Sequence, residues 1–229
     1  LSATRRGKVC EEYKKYGEIY ECKITVENEK DAMKAMEECK TAGCNALVVY
    51  LGNFGPETSE TIVAKYFDGP VMYIAAAEED CGDSLCGSRG DAYCGMLNAS
   101  YNLALRNIKA YIPEYPVGTP DESAKMIHDF IPVARAIIGV NNLKVISFGP
   151  RPQDFLACNA PIKQLYNFGI EIEENSELDL YAAFNEHKDD SRIEGVVKEM
   201  EKELGEGNKM AGILPKLAQF EITLLDWAE

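Results

Sequence analysis

Apolar residues along this chain change their spacing repeatedly, from every second position to every third or fourth and back. Over Glu18–Val26, Tyr20, Cys22, Ile24 and Val26 alternate with polar neighbours, the pattern of a half-buried strand. Asn28 then opens a helix to about Thr41 with Ala32, Ala35, Met36 and Cys39 as its inner stripe, and Gly43 stops it. Ala46–Leu51 is a short unbroken apolar run, the signature of a strand covered on both faces. A Gly/Pro loop, a short helix at Thr58–Phe67 and a second buried strand at Val71–Ala77 follow. A long loop, Glu78–Gly90, leads into a helix from about Asp91 to Asn107.

The second half repeats the alternation. Thr119-Pro120-Asp121-Glu122 gives a complete helix start, with Thr119 as cap, Pro120 in the first turn and Glu122 closing a capping box. That helix is expected to run to about Ile138 with a kink at Pro132. Strands follow at Leu143–Phe148 and Ile170–Glu173, with helices between and after them, including a surface helix over Ile193–Leu204. Strands and helices taking turns imply an α/β fold of open parallel sheets with helices on both faces, flavodoxin- or Rossmann-like. A boundary near Asn142 divides the chain into an N-terminal α/β domain (1–142) and an incomplete second α/β domain (143–229). Two strands are too few for an independent sheet. The chain also opens with a helix (about Gly7–Tyr16) where a β-α fold should open with a strand, so the first strand is expected to be missing. At the other end an intensely apolar helix, Ile213 to Trp227, implies a covering neighbour.

Charge narrows the partners. The net charge is -14, which argues against nucleic acid because phosphate binding requires a basic footprint. No basic cluster offers a surface to anionic lipid, and no apolar run suits a membrane span. The N-terminus lacks the apolar core of a secretory signal. A cytoplasmic protein with reduced thiols is expected. Of the eight cysteines, Cys81, Cys86 and Cys94 are grouped as C-x4-C-x7-C, a spacing that fits neither a zinc nor an iron–sulfur site.

Chemistry in a parallel sheet belongs to the loops at the carboxyl ends of its strands. Three such loops combine Gly or Pro with polar groups: Leu51–Glu57, Gly87–Gly95 and Phe148–Asp154. Arg6, Asn53, Phe54, Glu57, Arg89, Asp91 and Arg151 suit recognition of hydroxyl groups better than they suit cation binding; the alternative is that the Gly, Pro and acidic residues shape turns and cap helices. No nucleophile elbow, dinucleotide fingerprint or phosphate-binding loop occurs. His128 and His187 read as structural, and no His/Glu/Asp spacing suggests a metal cage. Catalytic residues and metal ligands are therefore expected to be absent from this chain.

At these loops the sequence resembles the L-fucose/L-arabinose isomerase family. The stretches that carry the likeness are Ile146 to Phe155, Leu165 to Glu171 and Ser176-Glu177-Leu178 in the second half. In the first half they are Arg89 to Asn102, Gly55-Pro56-Glu57-Thr58 and Arg5-Arg6-Gly7. The resemblance implies a longer, three-domain aldose–ketose isomerase acting on a sugar such as L-fucose or L-arabinose. Its divalent metal, typically manganese, would be held by Glu, Asp and His beyond Glu229 and would bridge the sugar's O1 and O2. A carboxylate would shuttle the proton through an enediol. It further implies a homo-oligomer, a hexamer, in which this first domain leans over a neighbour's active site, with Phe54 nearest to the aromatic residue that contacts sugar there. The fragment alone would be inactive. The alternative from a different class is a non-catalytic cytosolic sugar-binding or sensor protein, since two α/β domains around a cleft also describe solute receptors.

Overall fold

The computed structural model describes residues 1–82, 89–149, 154–158 and 161–229. The chain divides into two compact units, Leu1–Gly139 and Val140–Glu229.

Unit 1 is built on three parallel strands in the order β1 (Leu47–Leu51), β2 (Val71–Ala76), β3 (Val117–Gly118). Leu47 pairs with Val71 and Leu51 with Ala75, and β2 then pairs with β3 from Ala75↔Val117. β2 is central and all six of its residues are buried, which is why it reads as an unbroken apolar run. Alternation across it feeds two cores. Met72 and Ile74 pack with Val9 and Tyr13 of α1 (Ser2–Tyr13) and with Ile127, Phe130 and Ala134 of α5 (Pro120–Asn141). Tyr73 and Ala75 face the other way, toward Met96, Ala99 and Leu103 of α4 (Ala92–Leu105). On that face α2 (Glu29–Thr41) and α3 (Glu57–Tyr66) meet through Ala32, Met36 and Val63, with Leu47 and Val49 beneath. Helices on both faces of a parallel sheet are the expected α/β fold.

Local signals place the helix ends. Asn28 accepts a hydrogen bond from the Asp31 N–H at 3.1 Å, and Gly43 takes a positive φ of 76° just after α2. Glu122 accepts from the Thr119 N–H at 2.8 Å, closing the box that starts α5, and that helix continues through Pro132. One expected element is overturned. Glu18–Val26 forms no strand and has no regular structure. Its alternation survives as Cys22, Ile24 and Val26 turned half inward, but a strand also requires a ladder, and among the described residues no backbone bond joins this segment to β1.

Unit 2 has a two-stranded parallel sheet, β4 (Lys144–Phe148) with β5 (Glu171–Asn175), in register from Lys144↔Glu171 to Phe148↔Asn175. Three short or surface helices, α6 (Ile162–Asn167), α7 (Glu177–Glu186) and α8 (Ile193–Leu204), precede α9 (Leu214–Ala228). α9 buries Leu214, Ala218 and Ile222, while Leu217, Leu224 and Leu225 on it stay exposed. Trp227 meets Phe148 edge-on at 4.9 Å and Phe220 stacks on Phe184 at 4.1 Å. Among the described residues no helix is long and apolar enough to cross a membrane.

Candidate functional site

The loops following β1 and β2 converge, and the group that ties them is Arg5. On α1 the residues Arg5, Val9 and Tyr13 are buried, one turn apart on a single face. Arg5 therefore points inward and is only 7% exposed. Its guanidinium donates to the Gly52 carbonyl at 2.6 Å and pairs with Glu79, which also accepts from the Gly90 N–H at 3.0 Å. The Arg5 guanidinium and the Gly90 N–H together hold the Glu79 carboxyl down at about 2. A Cβ on Gly90 would collide with the guanidinium, so a side chain there would have to displace Arg5 from its partners.

A second layer of contacts joins the same loops. The Asp91 N–H, at the start of α4, donates to the Asn53 side chain at 2.8 Å. Asn102 donates to Glu57 at 2.8 Å, and Arg89 pairs with Glu78 at 2.9 Å. A Cβ on Gly95 would lie 3.2 Å from Phe54 Cα, so α4 packs closely under the loop that presents the 45%-exposed Phe54 ring. The structure thus gathers Asn53, Phe54, Glu57, Arg89 and Asp91 at one end of the sheet. Arg6 points elsewhere and pairs with Glu21 at 2.9 Å. Arg151 lies outside the described residues.

Sequence reasoning missed Arg5, Glu79, Asn102 and Glu60. The first was legible, since it lies four and eight positions before Val9 and Tyr13. Glu60 was not. It sits on α3, is 4% exposed, and neither of its carboxylate oxygens has a hydrogen-bond partner. Burial, reinforced by the nearby Glu57 charge, pushes its carboxyl up to about 7.

The donor chemistry does not fit manganese. A hard cation needs several convergent oxygens free to face it, whereas Glu79 is taken by Arg5, Glu78 by Arg89 and Glu57 by Asn102. In unit 2 the structure does bring His187, Asp190 and Asp226 together, with one ligand atom of each within 4.8 Å of the others. Sequence spacing hid this cluster because α9 supplies Asp226. Arg192, however, donates to Asp226 at 2.8 Å and to Asp190 at 2.8 Å, so a guanidinium already fills the role of the cation. That arginine holds Asp190 down at about 2 and Asp226 well below the carboxylate range. Among the cysteines, Cys10, Cys22, Cys39, Cys44, Cys94 and Cys158 are free thiols. Cys81 is disulfide-bonded, not reduced as expected, and a bonded sulfur is no thiolate ligand. Cys86 lies outside the described residues.

Parallel sheets of this kind define a class of α/β domain in which ligands enter beyond the carboxyl ends of the strands, where the Arg5 network and its neighbours lie. Residues 1–141 match the model of the fucose/sulfoquinovose isomerase N-terminal domain, and the chain belongs to that fucose-isomerase-like family. It is a relative of sugar isomerases. No curated protein is similar enough to the chain to match it.

Proposed function

We propose that this chain is the sugar-recognising front part of a metal-dependent aldose–ketose isomerase acting on a sugar such as L-fucose or L-arabinose. Family membership over residues 1–141 carries the reading. The chemistry of the strand-end cluster supports the assignment of roles. Asn53, Glu57, Arg89 and Asp91 offer donors and acceptors suited to hydroxyls, and Phe54 offers an apolar face to a sugar's C–H groups. Glu57 already accepts from the Asn102 side chain, so in this reading the cluster orients a polyol and leaves proton transfer and the Lewis acid to residues elsewhere. When bound there, manganese would polarise the sugar's carbonyl and hydroxyl oxygens.

The enzyme so described works in the cytoplasm as a homo-oligomer, a hexamer, with unit 1 presenting its strand-end loops to a neighbour's substrate. The free thiols at Cys10, Cys22, Cys39 and Cys44 accord with that compartment, and the disulfide at Cys81 counts against it. Assay of the longer parent with manganese against L-fucose, L-arabinose and related aldoses tests the function. Ketose formation is expected, and tight sugar binding without ketose would establish a sensor instead. This chain alone is expected to convert no aldose and to retain no stoichiometric metal after dialysis. Elemental analysis that finds manganese, zinc or iron would overturn that assignment.

A further inference from the structure

The surface of α4 departs from the charged character of the chain. Its 14 residues include no Asp, Glu, Lys or Arg, although 27% of the chain is charged. The inner face accounts for part of this, since Met96, Ala99 and Leu103 pack against the sheet. The outer face has no such reason. Tyr93, Leu97, Tyr101 and Leu105 are all between 55% and 65% exposed. They lie four positions apart and so form one continuous ridge along the helix. Smaller residues, Cys94 and Asn98 on one flank and Ser100 and Ala104 on the other, leave a groove on each side of it. The exposed area of the four large side chains is on the order of 500 Å², the size of patch that on a monomer is often functional.

Charge selects the occupant. A chain with a net charge of -14 repels a second copy wherever charged surfaces meet. Along this ridge that repulsion is weakest. The ridge is also complementary to itself. Read backwards, Tyr-Leu-Tyr-Leu becomes Leu-Tyr-Leu-Tyr, so an antiparallel second copy sets Tyr93 against Leu105 and Leu97 against Tyr101. The ends agree with that direction. Asp91 and Arg106, both exposed, flank the ridge, and an antiparallel pairing turns each acid toward a base. A parallel pairing would turn acid toward acid. Ridges of this spacing interlock with the helix axes crossing at about −50°. Two copies would bury roughly 1,000 Å² in total, the size at which a specific interface begins.

We propose that the α4 ridge is a two-fold docking surface for a second copy of this chain, with the two helices antiparallel. Leu97 and Tyr101 form its centre, and Tyr93 and Leu105 its rim. The inference stands on the surface of unit 1 and is independent of the isomerase reading, which implies several copies but assigns them no face.

Analytical ultracentrifugation of the full chain over a concentration series is the test. A mass above the 25.4 kDa of one copy is expected. Leu97→Arg puts two like charges at the centre of the pair and should weaken association about a hundredfold. Tyr101→Glu gives a second, independent break. Both side chains are exposed, so both variants should keep the urea midpoint of the unmodified chain. Leu178→Arg, at an exposed position of unit 2, should leave association unchanged. Mixing Leu97→Cys chains with Tyr101→Cys chains should give 97–101 cross-links, read by peptide mass spectrometry. A chain that stays monomeric throughout, or an assembly that Leu97→Arg and Tyr101→Glu leave intact, would overturn the proposal. So would an equal loss from Leu178→Arg, or cross-links between two copies of position 97 in place of 97–101.

Discussion

The two units are made of the same elements and are stabilised differently. Unit 1 encloses a six-residue central strand, and Met72, Tyr73, Ile74 and Phe130 are all at most 1% exposed. Unit 2 pairs two strands whose residues are at best half-buried, and among its described residues the buried apolar set comes down to Ile170 with Leu214, Ala218 and Ile222. Polar contacts stand where unit 1 has core: Lys144 and the Trp227 indole both bond Glu173, and Arg192 spans Asp190 and Asp226. The contrast shows what a third strand and a second covering layer provide. With neighbours on both edges and helices on both faces, a strand removes its side chains from water, at roughly 25 cal/mol per Å² of apolar surface. With one neighbour it cannot.

Core truncation should break the comparison most sharply. Phe130→Ala is expected to destabilise unit 1 by about 3–5 kcal/mol, whereas Leu178→Ala, at a side chain 78% exposed, should stay within about 0.5 kcal/mol in unit 2. Urea denaturation of each variant reads the difference, and equal losses would show that unit 2 has a core of its own.

The pH dependence should come next in size. Glu60 ionises near 4.5 in the unfolded chain but only at about 7 when folded. Between those values the folded state holds the extra proton, so unit 1 loses about 3 kcal/mol as pH rises through this window. Glu60→Gln should abolish that slope, measured as the urea midpoint at pH 4.5 against pH 8. A variant with the same slope would mean that another group is responsible.

The capping boxes, Thr119 with Glu122 at the start of α5 and Ser176 with Asp179 at the start of α7, should behave alike in both units. Thr119→Ala and Ser176→Ala are each expected to cost about 1 kcal/mol, because a cap acts within one turn whatever the core behind it. Thermal melts of the two variants give the comparison, and a clear inequality would tie capping to packing.

The smallest effect belongs to the surface network of unit 2. Asp190 and Asp226 are held below their usual value of 3.8 by Arg192, so their contribution is present above that pH and disappears as pH falls toward 2. His187 is raised above 6.5 by the Ala183 carbonyl and Asp226, so its contribution is present below 6.5 and fades above it. Asp226→Asn should return the His187 titration, followed by NMR, toward 6.5. Added salt should do the same in part.

Much of the fold was legible because its signals are local. Val71–Ala76 reads as a buried strand from six apolar residues in a row, and Asn28, Thr119 and Ser176 sit where the helix-start rules put them. Glu18–Val26 was misread for a physical reason: alternation records which side chains turn inward, while the ladder depends on a partner strand that the segment does not meet here. The site divides in the same way. Asn53, Glu57, Arg89 and Asp91 stood out as polar residues in Gly/Pro loops, whereas Arg5 did not, because adjacent positions on a helix look alike until the buried face is drawn through Val9 and Tyr13.

The sequence by itself determined the α/β alternation, the helix caps, the acidic character and the family, since each depends on residue type and near spacing. Tertiary structure alone decided that Arg5 reaches Gly52 and Glu79, that Asp226 closes on His187 and Arg192, and that Glu60 is buried with no donor. Those contacts join residues brought together by strand crossovers and helix packing. Their energies depend on distance and desolvation, which are fixed only when the chain has folded.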